Sequence, residues 1–221
     1  MWRGVGLILL CLLTFLLGLG QSAVTDSDEA FYAEAGREMV ASGDWITPHY
    51  NFEPRLQKPI LFYWLIAATY KVAGINEFSA RLWSGLAGVG LALLSAVVAR
   101  RWIGPNEGLI AGAIVATSFG VVPLARQSLP DMPLAFFVTL TIWAAIESTR
   151  AGTDGVKARR WIYLSSAAAA LGMLDKGPVA IVLPVTVLVP LLWHRWRQDR
   201  ATWLPVGPRD LLIAALIFVA I

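Results

Sequence analysis

Long stretches without a charged side chain constrain the fold of this chain more than any other feature. Seven of them lie along the 221 residues, at 4–20, 82–99, 109–125, 132–146, 161–174, 178–193 and 211–221. A membrane-spanning helix needs about 20 predominantly apolar residues. With 57% hydrophobic residues and a mean hydropathy of +0.63, the chain is too apolar for a soluble domain. The pattern predicts an all-α polytopic membrane protein with about seven transmembrane helices.

The spacing of these stretches divides the chain into three parts. Residues 1–20 are expected to form the first helix, 21–81 a long loop outside the membrane, and 82–221 the further transmembrane helices. Arg3 and the small residues before Val24 resemble a signal peptide, but Gln21 fits a cleavage site poorly, which favours an uncleaved helix. The last stretch reaches Ile221 without a polar flank, so we expect the chain to be the N-terminal part of a longer protein.

The basic residues predict how the helices are oriented. If the N-terminus is cytoplasmic and the seven helices alternate, most of the 18 lysines and arginines fall in short loops on the cytoplasmic side, as the positive-inside rule requires. They form no single basic patch, so nucleic-acid binding is not expected. The one cysteine, Cys11, excludes an internal disulfide.

The outer loop 21–81 contains two predicted helices. Asp28 is expected to cap a helix that runs to about Ser42 and ends at Gly43. Lys58-Pro59 then opens a second apolar segment, whose proline suits a first helical turn. This segment is too short to span a bilayer comfortably and is expected to lie in or near the membrane interface.

In this topology five charged residues share the outer side, each close to a membrane boundary. They are Asp28, Glu29, Lys58, Asp131 and Lys176. Charges at a membrane edge are costly unless they are solvated or paired, so they suggest a functional site. Lysines could hold a phosphate there while a carboxylate activates or orients a nucleophile.

Structural roles explain each of these residues equally well when it is taken singly. Asp28 and Asp131 could be helix caps, and Lys58 and Lys176 could extend toward lipid headgroups. The charge pattern therefore also fits a secondary transporter of an anionic substrate, or a membrane scaffold without catalytic activity.

The order of the motifs is more specific than the charges. "DSDEAFYAEAGREMVASGDWITPHYN", followed by "QKPILFYWLIAATYKVAGINEFSARLW" and later by "LDKGP", resembles polyprenyl-phosphate-dependent membrane glycosyltransferases. These are the GT-C enzymes of the protein O-mannosyltransferase and aminoarabinose (lipid A) transferase group. The resemblance implies inverting transfer of a sugar from a polyprenyl phosphate donor to a lipid, glycan or protein acceptor. It also implies a bacterial cytoplasmic membrane with the active site on the outer, periplasmic face.

The resemblance also implies residue roles. Asp28 would deprotonate or orient the acceptor, and Lys58 would neutralise the leaving phosphate. The implied catalytic residues are Asp28 and Asp131, and the implied substrate-binding residues are Glu29, Tyr32, Lys58 and Lys176.

Two positions depart from the aminoarabinose transferases. Those enzymes usually carry arginine at the position of Phe31 and glutamate at the position of Gln57. His49 and His194 stand alone without metal-ligand spacing. No metal or other cofactor is expected.

Overall fold

The computed structural model describes residues 2–152, 154–198 and 206–221, and these form two compact units, Met1–Phe136 and Phe137–Ile221. Ten helices and a two-stranded hairpin lie in the described residues. In chain order they are α1 Trp2–Phe15, α2 Ser27–Ser42, β1 His49–Tyr50, β2 Glu53–Pro54, α3 Leu61–Ala73, α4 Glu77–Trp102, α5 Pro105–Thr117, α6 Val121–Ala125, α7 Asp131–Arg150, α8 Gly155–Lys176, α9 Val179–Gln198 and α10 Pro208–Ala220.

The helical character confirms the predicted fold class. Three helices of the described part are long and apolar enough to cross a membrane, namely α4, α7 and α9. The apolar parts of α1 and α3 are shorter, and the count of seven spans stays a prediction.

Small residues let the helices of the first unit approach closely. A side chain at Gly112 would place its Cβ 2.7 Å from Leu7 and 3.1 Å from the carbonyl oxygen of Ala92, and one at Gly88 would meet Ala125 at 2.8 Å. Such contacts between small residues are typical of helix packing in membranes, where backbones come together without a hydrophobic driving force. They hold α1, α4, α5 and α6 around one core.

A second core in the first unit joins α2 to α3. Its largest buried side chains include Met39, Phe62 and Ile66, each 0% exposed. Gly36 faces Ile66, where a Cβ would lie 2.6 Å from the isoleucine methyl group. Helices α2 and α3 of the segment 21–81 therefore form a packed pair.

The hairpin between α2 and α3 has no counterpart in the sequence-based expectations. His49 pairs with Pro54 and Tyr50 with Glu53, and the turn places Asn51 and Phe52 at positive φ. The Phe52 N–H donates to the carboxylate of Glu38 at 3.1 Å. Asparagine tolerates this backbone region well, but phenylalanine rarely adopts it, and the buried Glu38 acceptor helps to hold the turn.

Several helix boundaries differ from the expected ones: α1 ends at Phe15 rather than at residue 20, and two further differences involve a proline and a helix cap. The apolar stretch 109–125 is broken after Thr117; a continuous helix would place Pro123 in its interior, where proline removes a hydrogen bond. The break instead puts Pro123 in the first turn of α6. Helix α4 starts at Glu77, before the expected 82, because the Asn76 side chain caps it by accepting the Ser79 N–H at 2.9 Å.

The second unit packs α8 against α9 and α10. Ser165 donates its hydroxyl to the carbonyl oxygen of Thr141 at 2.9 Å, and Tyr163 donates to Asp210 at 3.1 Å. Arg195 of α9 donates to Thr149 at 2.6 Å. These bonds fix α8, α9 and α10 to one another and to the part of α7 within this unit.

Candidate functional site

Three acidic residues at the start of α2, namely Asp26, Asp28 and Glu29, lie in distinct environments. Asp26 is the N-cap of the helix, and its Oδ1 accepts the Asp28 N–H at 2.8 Å. The prediction that Asp28 caps this helix was wrong, since Asp26 occupies the extended backbone position that capping requires. The predicted end of the helix is confirmed: Gly43 adopts a left-handed φ of 75° and donates its N–H to Met39.

Because Asp26 caps the helix, the Asp28 side chain does not, and it is exposed at the surface. Within the described residues its carboxylate accepts no hydrogen bond and forms no ion pair. It lies in the first turn of α2, where the unpaired backbone N–H groups and the helix dipole favour a negative charge. The structure thus presents a carboxylate that no neighbouring group neutralises.

Glu29, the next residue, is in the opposite situation. It is 2% exposed, and Arg81 donates two hydrogen bonds to its carboxylate, from Nε to Oε1 at 2.6 Å and from Nη2 to Oε2 at 3.0 Å. The backbone N–H of Ser128 donates to Oε1 at 2.8 Å. We call these three residues the Glu29–Arg81 cluster. Both carboxylate oxygens are therefore bonded within the protein, which a buried charge requires.

Arg81 also binds the segment between α1 and α2. Its Nη1 donates to the carbonyl oxygens of Leu19 at 3.1 Å and Ser22 at 2.6 Å, and its Nη2 donates to that of Ala23 at 3.2 Å. One buried guanidinium thereby connects α4 with α2 and with the chain that leads into it. The cluster fixes the start of α2, and with it the position of Asp28.

Asp131 is placed by the same network. It is the first residue of α7 and follows the buried Pro130. Just before it, the Ser128 hydroxyl donates to the carbonyl oxygen of Ala80 at 2.9 Å, and Ser84 donates to that of Leu129 at 2.8 Å. The segment leading to Asp131 is therefore fixed to α4 beside the residue that binds Glu29.

Tyr32 and Lys58 belong to the α2–α3 pair. Tyr32 is 5% exposed, and its ring lies 5.3 Å from those of both Phe62 and Tyr63. Lys58 precedes α3 and is exposed, with no ion pair or hydrogen bond to any described residue. The core around Tyr32 thus supports both the helix of Asp28 and the helix that follows Lys58.

Sequence reasoning missed one cation next to these residues. The Arg55 guanidinium lies 4.3 Å from the centroid of the Phe31 ring and 5.9 Å from that of Tyr50. Its Nε donates to the Tyr63 hydroxyl at 3.1 Å. Burial raises the pKa of the Tyr63 phenol, and the Arg55 hydrogen bond partly offsets this rise, so Tyr63 keeps its proton at neutral pH. Asp28 and Lys58 are exposed and Arg55 is half-buried, and we refer to the three residues as the Asp28–Arg55–Lys58 group.

Lys176 is the last residue of α8 and belongs to the second unit. Gly177, with a φ of 90°, ends that helix by donating its N–H to Met173. The preceding Asp175 is 1% exposed. The other five predicted site residues belong to the first unit.

The described residues contain no group of three or more histidine, cysteine, aspartate or glutamate side chains that could hold a metal ion. Among the described residues of the first unit, the Asp28 carboxylate and the Lys58 ammonium group form no ion pair, and the Arg55 guanidinium lies over aromatic rings.

Comparison with known proteins identifies the family. The model of the dolichyl-phosphate-mannose-protein mannosyltransferase family matches residues 4–221. The chain belongs to this family. Membership confirms the resemblance to polyprenyl-phosphate-dependent membrane glycosyltransferases that the motifs indicated.

The chain is similar to proteins from several bacteria. It is 35% identical, over 84% of its length, to the undecaprenyl phosphate-α-4-amino-4-deoxy-L-arabinose arabinosyl transferase of Pseudomonas aeruginosa, and 32% identical, over 96%, to transferase 2 of that name from Proteus mirabilis. An uncharacterized protein of Aquifex aeolicus is 36% identical over 80% of the chain. The chain spans 34%, 39% and 35% of these relatives, respectively.

Two solved structures share the fold. The crystal structure of ArnT from Cupriavidus metallidurans in the apo state superposes with a TM-score of 0.86 at 28% identity, covering 98% of this chain and 39% of ArnT. The structure of the same protein bound to undecaprenyl phosphate gives a TM-score of 0.77 at 27% identity, covering 98% and 40%. The transporter alternative gains no support from these matches.

Proposed function

We propose that the protein is an inverting glycosyltransferase that moves a sugar from a polyprenyl phosphate donor to an acceptor at a membrane surface. The observation that carries this proposal is the unpaired Asp28 carboxylate beside the buried Glu29–Arg81 cluster, in a chain with the fold of ArnT. The relatives named as arabinosyl transferases and the ArnT complex with undecaprenyl phosphate support a polyprenyl-linked donor.

In the proposed reaction an acceptor oxygen attacks the anomeric carbon of the sugar. The bond between that carbon and the phosphate oxygen breaks as the new glycosidic bond forms on the opposite face. A hydroxyl acceptor passes its proton to the Asp28 carboxylate, whereas a phosphate or carboxylate acceptor needs no base and Asp28 then orients it. The donor phosphate carries one negative charge before the reaction and two after it.

The growing charge on the phosphate gives Lys58 its role. A cation that contacts the leaving oxygen stabilises the transition state more than the ground state, since the second negative charge appears only as the bond breaks. Lys58 is suited to this because no described residue neutralises its ammonium group.

The remaining predicted residues have supporting roles in this proposal. Asp131 is a second carboxylate for the reacting groups, and Lys176 contributes to donor binding. Tyr32 shapes the substrate site from the α2–α3 core. Glu29, whose oxygens are bonded to Arg81 and Ser128, acts as a positioning residue that holds the start of α2.

The location of the reaction is part of the proposal. The positive-inside pattern supports a cytoplasmic N-terminus and an active site on the outer, periplasmic face of a bacterial cytoplasmic membrane. The acceptor there would be a lipid, a glycan or a protein.

The test compares lipids and envelope glycans, by mass spectrometry, of cells that lack the gene and cells that express the full-length protein. We expect a sugar-modified species with the wild type that is absent with Asp28→Asn and with Lys58→Ala. Asp26→Asn is the matched control, because it removes the same charge from the same turn while asparagine still caps the helix. Each variant is quantified in the membrane fraction.

Normal sugar transfer by both Asp28→Asn and Lys58→Ala would contradict the proposed site. Uptake of an anionic solute by proteoliposomes, without any modified lipid or glycan, would favour a transporter instead.

A further inference from the structure

Arg55 is held more firmly than an ordinary loop arginine. Its backbone N–H donates to the carbonyl oxygen of Pro48 at 2.7 Å, and its Nε donates to the Tyr63 hydroxyl at 3.1 Å. The central guanidinium carbon lies over the Phe31 ring, 4.3 Å from its centroid, and the Phe31 ring packs edge-on against Tyr50. Rings attract a guanidinium through their quadrupoles and restrict its orientation.

The charge of this arginine is not neutralised within the described part of the chain. No carboxylate lies within 4.0 Å of its nitrogens, and its Nη1 and Nη2 atoms donate no hydrogen bond. Arg37, on α2, provides a contrast, because Glu34 accepts from both its Nε at 2.8 Å and its Nη2 at 2.6 Å. Arg55 therefore keeps its two terminal nitrogens available in a fixed fork, the geometry that binds phosphate and carboxylate oxygens.

Its neighbours connect Arg55 with the proposed reacting groups. Phe31 follows Asp28 by three positions on α2, so the two side chains lie on neighbouring parts of the helix surface. Lys58 follows Arg55 by three residues in the segment before α3. The Tyr63 that binds Nε belongs to α3 and contacts Tyr32 of α2. The aromatic cluster thus holds a second cation next to the turn that carries Asp28.

We propose that Arg55 binds the phosphate of the polyprenyl donor together with Lys58, and that Phe31 is the platform that orients its guanidinium. This inference rests on the proposed function. Two cations suit a phosphate whose charge rises from one to two as the sugar leaves. The guanidinium contributes a directed pair of N–H groups, and the lysine contributes a compact charge.

The test measures the binding of undecaprenyl phosphate, and of the uncharged alcohol undecaprenol, to the purified full-length protein in detergent. Arg55→Gln is expected to weaken phosphate binding on the order of tenfold, as for loss of a hydrogen bond to a charged group. Binding of the alcohol is expected to stay the same. Arg37→Gln is the matched control, because Glu34 already neutralises Arg37, and its phosphate affinity is expected to equal that of the wild type.

Arg55→Lys provides a second variant that keeps the charge and the side-chain stem. We expect it to bind the phosphate about threefold or more weakly, since lysine cannot present two N–H groups in one plane. If the melting temperature shows that Arg55→Gln does not fold, this variant decides the question. Wild-type phosphate affinity in a folded Arg55→Gln protein, or in Arg55→Lys when that variant decides, would overturn the role of Arg55.

The outcomes also separate this inference from the proposed function. Weaker binding by Lys58→Ala with unchanged binding by Arg55→Gln would refute the role of Arg55 alone. Failure of the wild-type protein to prefer undecaprenyl phosphate over undecaprenol would refute both.

Discussion

Two adjacent carboxylates, Asp28 and Glu29, belong to regions built in opposite ways. The Glu29–Arg81 cluster is buried and its carboxylate is fully bonded, whereas the Asp28–Arg55–Lys58 group reaches the surface and contains no ion pair among the described residues. Buried charges must be paired to be tolerated. Unpaired charges beside a rigid support are instead available for a ligand. The contrast fits a division of roles: the buried region maintains the structure, and we propose that the other region performs the chemistry.

The largest stability effect is expected in the buried region. Removing either partner of the pair, by Glu29→Met or Arg81→Met, leaves an uncompensated charge and costs about 3–5 kcal/mol of unfolding free energy. The double variant is expected to cost less than the sum of the single ones, because it buries no lone charge. It does not regain wild-type stability, since Leu19 and Ser22 lose their donor. Denaturation of the purified variants in detergent measures all three, and strict additivity would show that the pair is not coupled.

A smaller effect is expected where α2 meets α3. Gly36→Leu forces a side chain into the space that Ile66 occupies, because even a Cβ would lie 2.6 Å from its methyl group. Overpacking of this kind costs about 1–3 kcal/mol, seen as a lower melting temperature. Gly120→Leu is the control, since no atom lies within 4 Å of its Cβ position. Equal melting temperatures for the two variants would show that this helix contact is not tightly packed.

Asp26 lies at the border of the two regions, and its substitution should have a moderate effect. Asp26→Ala removes the acceptor of the Asp28 N–H and is expected to cost about 1 kcal/mol. Asp26→Asn keeps the cap and should retain nearly all of the stability. Equal melting temperatures for Asp26→Ala and the wild type would argue against capping by this side chain.

The smallest effect is expected for a charge pair at the surface. Hydrogen bonding to Arg37 lowers the pKa of Glu34, so the pair stabilises the fold above the unfolded-state pKa and this contribution disappears as the pH falls through the lower folded-state pKa. Because both side chains are about one-third exposed, Glu34→Gln should cost only about 0.2–1 kcal/mol at neutral pH. The difference from the wild type should vanish in acid, and a pH-independent difference would rule out the ion pair as its cause.

Local signals in the sequence were sufficient to predict much of the fold. Uncharged stretches indicated the membrane helices, and Gly43 marked the end of α2, because these features depend on neighbouring residues. Pro123 alone does not predict the break after Thr117, since α9 continues through Pro184 and Pro190. The hairpin was not predictable in this way, since its turn places Phe52 at a positive φ and depends on Glu38, which is distant in sequence.

The candidate site was only partly predictable for the same reason. Motif order singled out Asp28 and Lys58, but the sequence did not reveal that Asp26, rather than Asp28, caps the helix. The partner of Glu29 is Arg81, 52 residues away, and no local pattern connects them. Phe31 occupies a position where the aminoarabinose transferases usually carry arginine. Only the structure shows that the Arg55 guanidinium lies over the Phe31 ring.

The most direct test of the division between the two regions compares Asp28→Asn with Glu29→Gln in the full-length protein. Both changes remove one negative charge, from adjacent residues, with little change in shape. We predict that Asp28→Asn keeps the wild-type melting temperature and loses sugar transfer by on the order of 100-fold or more, whereas Glu29→Gln loses several degrees or fails to fold. Equal melting temperatures for the two variants, or undiminished transfer by Asp28→Asn, would contradict the account.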